Sequence, residues 1–213
     1  MPTSLLSLVL AAGIAFTAPG EQVRSWSETY DTDGVVLVKL DVPVGEVEIQ
    51  ASSGDRVEIE LTLECGSGWG TSRCSERAKR IELVSNRRGD RLVIEIEGYS
   101  KWRNRGMHVN LTMRLPAALE LEIDMGIGEL TLRDLSSDVT VDLGIGEVSL
   151  VTAIDHIGSV SLDTGIGEAS LRTPEGRNQA VGLLGNEVTW DQGRGTARIK
   201  IDLGIGEISV RLS

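Results

Sequence analysis

The chain has 213 residues and a formal net charge of −11. That excess of acid excludes the basic footprint of a nucleic-acid binder and disfavours attraction to anionic membranes. Aromatic residues make up only 3%, with a single Phe, so any core must be built from Val, Ile and Leu, which suits β-structure.

Residues 5–16, LLSLVLAAGIAF, form an apolar run of signal-peptide length, short for a bilayer span. APG at 18–20 puts small residues at the cleavage-determining positions, and cleavage after Gly20 is expected. No Lys or Arg precedes Arg24, so the positive region is the amino terminus alone. A buried strand or a misplaced start codon is the competing reading. No Cys follows the run directly, which argues against a lipoprotein. No later segment approaches the length of a membrane span, so the mature chain is expected to have no transmembrane segment.

Residues 30–116 read as an N-terminal β-region. GVVLVKLDVPVGEVEI (34–49), RVEIELTLE (56–64), RIELVS (80–85), RLVIEIEG (91–98) and HVNLTMRLP (108–116) all alternate apolar with polar residues, the period of a half-buried strand. SSGD and RRGD sit between them as turns. Cys65 and Cys74 flank GSGWGTSR, a loop able to bring them together, and in an oxidising compartment they are expected to bond. A zinc site is the weaker reading, since His108 and His156 are remote in sequence. Trp69, Trp102, Arg103 and Arg105 lie in two glycine-containing stretches, 65–74 and 98–108, that are locally basic in an acidic protein. They are either a contact patch for a glycan or acidic partner or small satellite cores under the loops.

From 117 onward the chain repeats itself. DMGIGE (124–129), DLGIGE (142–147), DTGIGE (163–168) and DLGIGE (202–207) end on Glu129, Glu147, Glu168 and Glu207, at gaps of 18, 21 and 39 residues. LLGNEVTW (183–190) supplies a degenerate copy, with Glu187 near the middle of the long gap. A fixed period of about twenty residues is the mark of a solenoid. Within a rung, Leu119, Leu121, Ile123, Met125 and Ile127 alternate, and then Leu130 and Leu132 take the opposite parity. Such a slip reverses the faces unless the chain bends. GIG is therefore expected to be a corner, with Gly126, Gly128, Gly144, Gly146, Gly165, Gly167, Gly204 and Gly206 supplying the backbone freedom and the isoleucine plugging the interior. Polar loops at 133–138, 172–179 and 191–196 close each rung. The expected fold is all-β: a right-handed, parallel β-helix-like solenoid of about five rungs over 117–213, capped by the N-terminal region.

VPVGEVEI, then MRLPAALELEIDMGIGELTL and the recurring glycine-x-glycine-acid units, resembles the DUF4097 putative-adhesin family of bacterial envelope proteins over roughly residues 34–213. The resemblance implies a β-helix-like fold, export and an adhesive or envelope role. It brings no catalytic residue, and the Cys65–Cys74 loop has no place in its pattern.

In chain-order stacking, Glu129, Glu147, Glu168, Glu187 and Glu207 form one ladder. Asp124, Asp142, Asp163 and Asp202 form another, with Gly182 in the degenerate rung. Like charges about 4.8 Å apart repel by roughly 1 kcal/mol in water. The carboxylates then cap their own glycine corners, or bind a row of hard cations such as Ca²⁺, or stay solvated. The capping reading is preferred, because calcium β-roll repeats are much shorter than this period. Copying the acids at every corner is the behaviour of a structural position rather than of a catalytic pair. The functional expectation is a non-enzymatic, cofactor-free binding scaffold, periplasmic or secreted, whose partner is an envelope protein or glycan. The alternatives are an envelope polysaccharide-active enzyme and a structural or sensory envelope component.

Overall fold

The computed structural model describes residues 21–66, 73–99, 106–182 and 185–213. The expected signal segment and Trp69, Trp102, Arg103 and Arg105 lie outside the described residues. Almost every described segment is extended. The strands are β1 (Glu21–Asp31), β2 (Leu37–Ser52), β3 (Arg56–Cys65), β4 (Glu82–Arg88), β5 (Arg91–Glu97) and β6 (Met107–Pro116). They continue with β7 (Glu120–Arg133), β8 (Val139–Thr152), β9 (Ile157–Thr173), β10 (Gly176–Gly182), β11 (Asn186–Trp190) and β12 (Ala197–Leu212). One short helix, α1 (Cys74–Ala78), and a 3-10 turn at Ile154–His156 interrupt them.

These strands form one open, mixed sheet, ordered β1-β3-β6-β2-β7-β8-β12-β9-β10, with β5 and β4 beside β2, and β11 beside β9. Its centre is five long strands, β2, β7, β8, β12 and β9, running parallel and in register through the repeated phrase. β2 brings VPVGE as a full member: Gly45 pairs with Gly128 and Glu46 with Glu129. Antiparallel β1, β3 and β6 extend one end of the stack.

The stack is not wound in chain order. β12, the last strand, lies between β8 and β9, pairing in parallel with both. The sequence expectation of rungs succeeding one another, with 183–190 as the fourth, is corrected by this register. The turn after Thr173 reverses the chain, so β10 runs back along the second half of β9 and β11 along the first half, both antiparallel. Asn186 turns that corner, its Nδ2 donating to Gly167 O at 3.2 Å and Gly182 O at 3.1 Å. Glu187 consequently faces Asp163 and is no member of the glutamate ladder. Gly204, although in the last strand of the chain, is internal to the stack.

Each long strand bends at its glycines. Met125 and Leu130, five residues apart, are both buried, so both halves turn their apolar faces into one core with Leu40, Ile49, Ile123, Leu150, Leu162 and Ile201. The expected inward isoleucine is the second correction. Ile127, Ile145, Ile166 and Ile205 are 37%, 46%, 42% and 47% exposed. The inner side of a bend is crowded by side chains from both halves, and only the outer side has room for a branched one.

Cys65 and Cys74 are disulfide-bonded, with Cα atoms 5.9 Å apart. The bond ties α1 to the end of β3. Arg24 Nη1 holds the other end of the helix, donating to Ala78 O at 3.3 Å, Lys79 O at 3.1 Å and Ile81 O at 2.6 Å. Cations suit this end because its carbonyls have no partner within the helix.

Candidate functional site

The bend creates columns. The second glycines, Gly45, Gly128, Gly146, Gly206 and Gly167, stack in that order, each with φ between +139° and +157°. An added Cβ at Gly128, Gly146, Gly206 or Gly167 would stand 1.7–1.8 Å from the carbonyl oxygen of the neighbouring rung's glycine. Glycine is thus demanded twice over, by dihedral angle and by space. Gly144, Gly165 and Gly204 lack the positive φ, yet a Cβ there would meet a neighbouring carbonyl at 2.5–2.7 Å. Gly126 supplies that carbonyl for Gly144.

Between the two glycine columns stands a ridge: Val44, Ile127, Ile145, Ile205 and Ile166 in stack order. Val181 of β10, 66% exposed, joins its end. On one side runs an aspartate ladder, Asp41, Asp124, Asp142, Asp202 and Asp163; on the other a glutamate ladder, Glu46, Glu129, Glu147, Glu207 and Glu168. Two shallow open troughs flank the ridge. The first, of about 770 Å³, is lined by the aspartates and first glycines. The second, of about 670 Å³, is lined by Ile145, Ile166, Ile205, Val181 and three of the glutamates.

The aspartate ladder is partly neutralised. Lys39 Nζ sits 2.5 Å from Asp124 Oδ2 and 2.6 Å from Glu122 Oε1, and Lys200 Nζ 2.6 Å from Asp202 Oδ2. The hydrogen bonds to Asp124 and Glu122 raise the Lys39 ammonium pKa, and the bond to Asp202 raises that of Lys200. Among the described residues, Asp41 and Asp142 have no such partner. Burial, then the charge of Asp124 beside Asp41 and of Asp202 and Asp124 beside Asp142, push both carboxyls above the ordinary aspartate range.

The glutamates do not cap their corners. Among the described residues, no side-chain hydrogen bond joins Glu129, Glu147 or Glu207 to a corner N–H. Glu168 instead accepts from Gln179 Nε2 at 2.6 Å and Arg177 Nη2 at 3.4 Å of β10. The glutamates lie on the outer face with the ridge, exposed at Glu46, Glu129, Glu147 and Glu207 and half-buried at Glu168. Also among the described residues, no three His, Cys, Asp or Glu side chains converge as a metal-binding group.

His108 on β6 and His156 in the 3-10 turn are both exposed, and neither joins the ridge. Gly66, before the first Trp-bearing segment, donates its N–H to Gly106 O, after the second, at 2.9 Å. The exposed isoleucine row is what sequence reasoning missed. Its signal was present: an apolar residue at the parity slip belongs to neither face.

No protein-family model matches the chain, and no curated protein does. Among solved structures, a "putative cell adhesion protein" from Clostridium sporogenes aligns over 92% of this chain and 100% of its own, with a TM-score of 0.51 at 14% identity. A "putative adhesin" from Parabacteroides merdae aligns over 88% of this chain and 77% of its own, with a TM-score of 0.31 at 10% identity. At these identities the first likeness is one of fold alone, and the second is too distant to add to it.

Proposed function

We propose that this chain is a non-enzymatic, extracytoplasmic binding scaffold of adhesin-like type, and that the outer corner of its five-rung stack is the contact surface. The observation that carries this reading is the exposed isoleucine row, held between two carboxylate ladders. Apolar patches rimmed by polar groups mark interaction sites. Here every strand bearing the row is fixed by neighbours on both sides, so the patch is preorganised. Repetition of one chemistry suits a surface that sums weak contacts. Catalysis by paired carboxylates needs one acid set apart from its neighbours.

The Cys65–Cys74 bond supports an oxidising address, periplasmic or secreted, in line with export by the 1–20 segment. Among the described residues no helix is long and apolar enough to cross a membrane. The fold shared with a protein named for cell adhesion agrees with an envelope role, as does the DUF4097 resemblance. In this reading the stack is solenoid-like in spacing: β2 of the 30–116 region forms its first rung, the rest of that region caps it, the repeats of 117–213 supply the other four rungs, and the partner is an envelope protein or glycan.

The test is retention of envelope extract on the immobilised chain beginning after Gly20. An Ile145→Asn/Ile205→Asn variant, folded by circular dichroism, should lose most of the retained material. Undiminished retention would remove the ridge from the account.

A further inference from the structure

The geometry points to a partner of defined chemistry: a basic amphipathic α-helix lying along the stack axis. Its apolar stripe rests on Ile127, Ile145, Ile205 and Ile166, and a line of Lys or Arg stands over each carboxylate ladder. This inference rests on the ridge being the contact surface.

Charge comes first. The ridge is flanked by five aspartates and five glutamates. Among the described residues, the cations paired with them are Lys39 and Lys200 on one side and Arg177 on the other. Neighbouring carboxylates about 4.8 Å apart repel; at Asp41 and Asp142 this adds to burial, the larger cause, in raising the carboxyls. A partner with two lines of cations relieves that repulsion on both flanks. A second copy of this chain would bring acid ladders against acid ladders at a net charge of −11, so self-pairing through this face is disfavoured.

Backbone pairing comes second. β7, β8 and β12 each have a strand on both sides, β9 is covered by β10 and β11, and β2 by β5 and β6. Among the described residues, the outer edge is unpaired only over the bend itself, 42–45 of β2 and 165–166 of β9, too short a stretch for recognition by strand addition. The partner must bind through side chains.

Spacing comes third. Rungs repeat about every 4.8 Å, and a helix presents one turn about every 5.4 Å, so over four steps the two drift apart by only about 2.4 Å. A strand laid along the same axis presents alternate residues about every 6.7 Å and drifts by about 8 Å. Width agrees. Asp124 and Glu129 are five residues apart, so their ladders are separated by no more than about 17 Å of extended chain. Lysines on both flanks of a helix about 10–12 Å in diameter reach across that distance, their stems spanning the troughs. The five rungs span about 19 Å, the length of about 13 helical residues.

The probe is a fluorescent synthetic peptide of about four helical turns, with leucines at i, i+3, i+4 and i+7 spacing and lysines flanking the stripe. Anisotropy is read against the full mature chain. Binding should weaken about tenfold or more as salt rises from about 50 to about 500 mM. It should weaken about tenfold for Ile145→Asn/Ile205→Asn, the loss of two apolar contacts. It should also weaken for Asp142→Asn/Glu147→Gln and stay unchanged for Glu58→Gln/Glu60→Gln on β3. A scrambled peptide of the same composition should bind far more weakly. Equal binding of the scrambled peptide, or indifference to the ridge variants, overturns the inference. If envelope material is still retained through the ridge, only the partner chemistry has failed; if that too is lost, the contact surface itself has.

Discussion

Replacing Gly146 by Ala should unseat the centre of the stack. Gly146 has φ +148°, and a Cβ there would sit 1.7 Å from Gly128 O. Real contacts of this kind essentially never fall under 3.0 Å, so β7 and β8 would have to part by more than an ångström locally. Strands spaced about 4.8 Å apart cannot do that without losing ladder hydrogen bonds, each worth about 1 kcal/mol net. The dihedral adds about 1–3 kcal/mol. The sum is about 3–5 kcal/mol, or a fall in Tm on the order of 10 °C for a chain of this size. Two controls separate the causes. Gly89 has φ +67° with nothing within 4 Å of an added Cβ, so Gly89→Ala carries only the dihedral cost, about 1–2 kcal/mol. Gly144 has no positive φ but meets Gly126 O at 2.6 Å, so Gly144→Ala carries only the clash. Urea titrations followed by far-UV circular dichroism should rank Gly146→Ala as clearly the worst. A Gly146→Ala variant no less stable than Gly89→Ala would refute the reasoning.

Thr164 occupies the inward column filled elsewhere by Val42, Met125, Leu143 and Leu203, and its Oγ1 is buried with no hydrogen-bond partner among the described residues. Thr164→Val should therefore raise stability by about 1 kcal/mol in the same titration. Cys65→Ser/Cys74→Ser should cost about 2–3 kcal/mol through the released loop; mass spectrometry of the unreduced native chain should find both thiols blocked to alkylation. The carboxyls of Asp41 and Asp142 are raised in the folded chain, so their contribution to stability is present below the usual aspartate range and lost as pH rises through their folded values. Asp142→Asn should accordingly stabilise the chain at pH 7, and thermal melts across pH should show that advantage shrinking as the medium is acidified.

The sequence carried the strands, the corners and the disulfide because each has a local cause. Alternation marks a half-buried strand, a parity slip marks a bend, and two cysteines around a short glycine-rich loop can meet. Neighbour order had no local cause. DLGIGE in β8 and DLGIGE in β12 are identical, so a strand beside either would meet the same side chains. What decides the order is the hairpin after Thr173, which spends two strands on covering β9 and returns the chain to the gap beside β8. Residues 183–190 misled for a related reason. Glu187 has the right spacing, but direction is set by the turn before it, and it pairs antiparallel opposite Asp163. The ridge was obscured because period-two counting assigns Ile127 inward up to the bend and has no rule at the bend itself.

The order of the stack and the outward isoleucines can be tested together with cysteine pairs. In the structure Ile205 is directly beside both Ile145 and Ile166, at about 4.8 Å across a ladder, within disulfide reach. Ile145 and Ile166 are two rungs apart, about 9.6 Å, and out of reach. Mild oxidation of the Ile145→Cys/Ile205→Cys and Ile166→Cys/Ile205→Cys variants should give a new intramolecular disulfide in each, seen by peptide mapping, while Ile145→Cys/Ile166→Cys should give none. A chain-order coil would reverse the result: the 145–166 pair would close and the 145–205 pair would stay open.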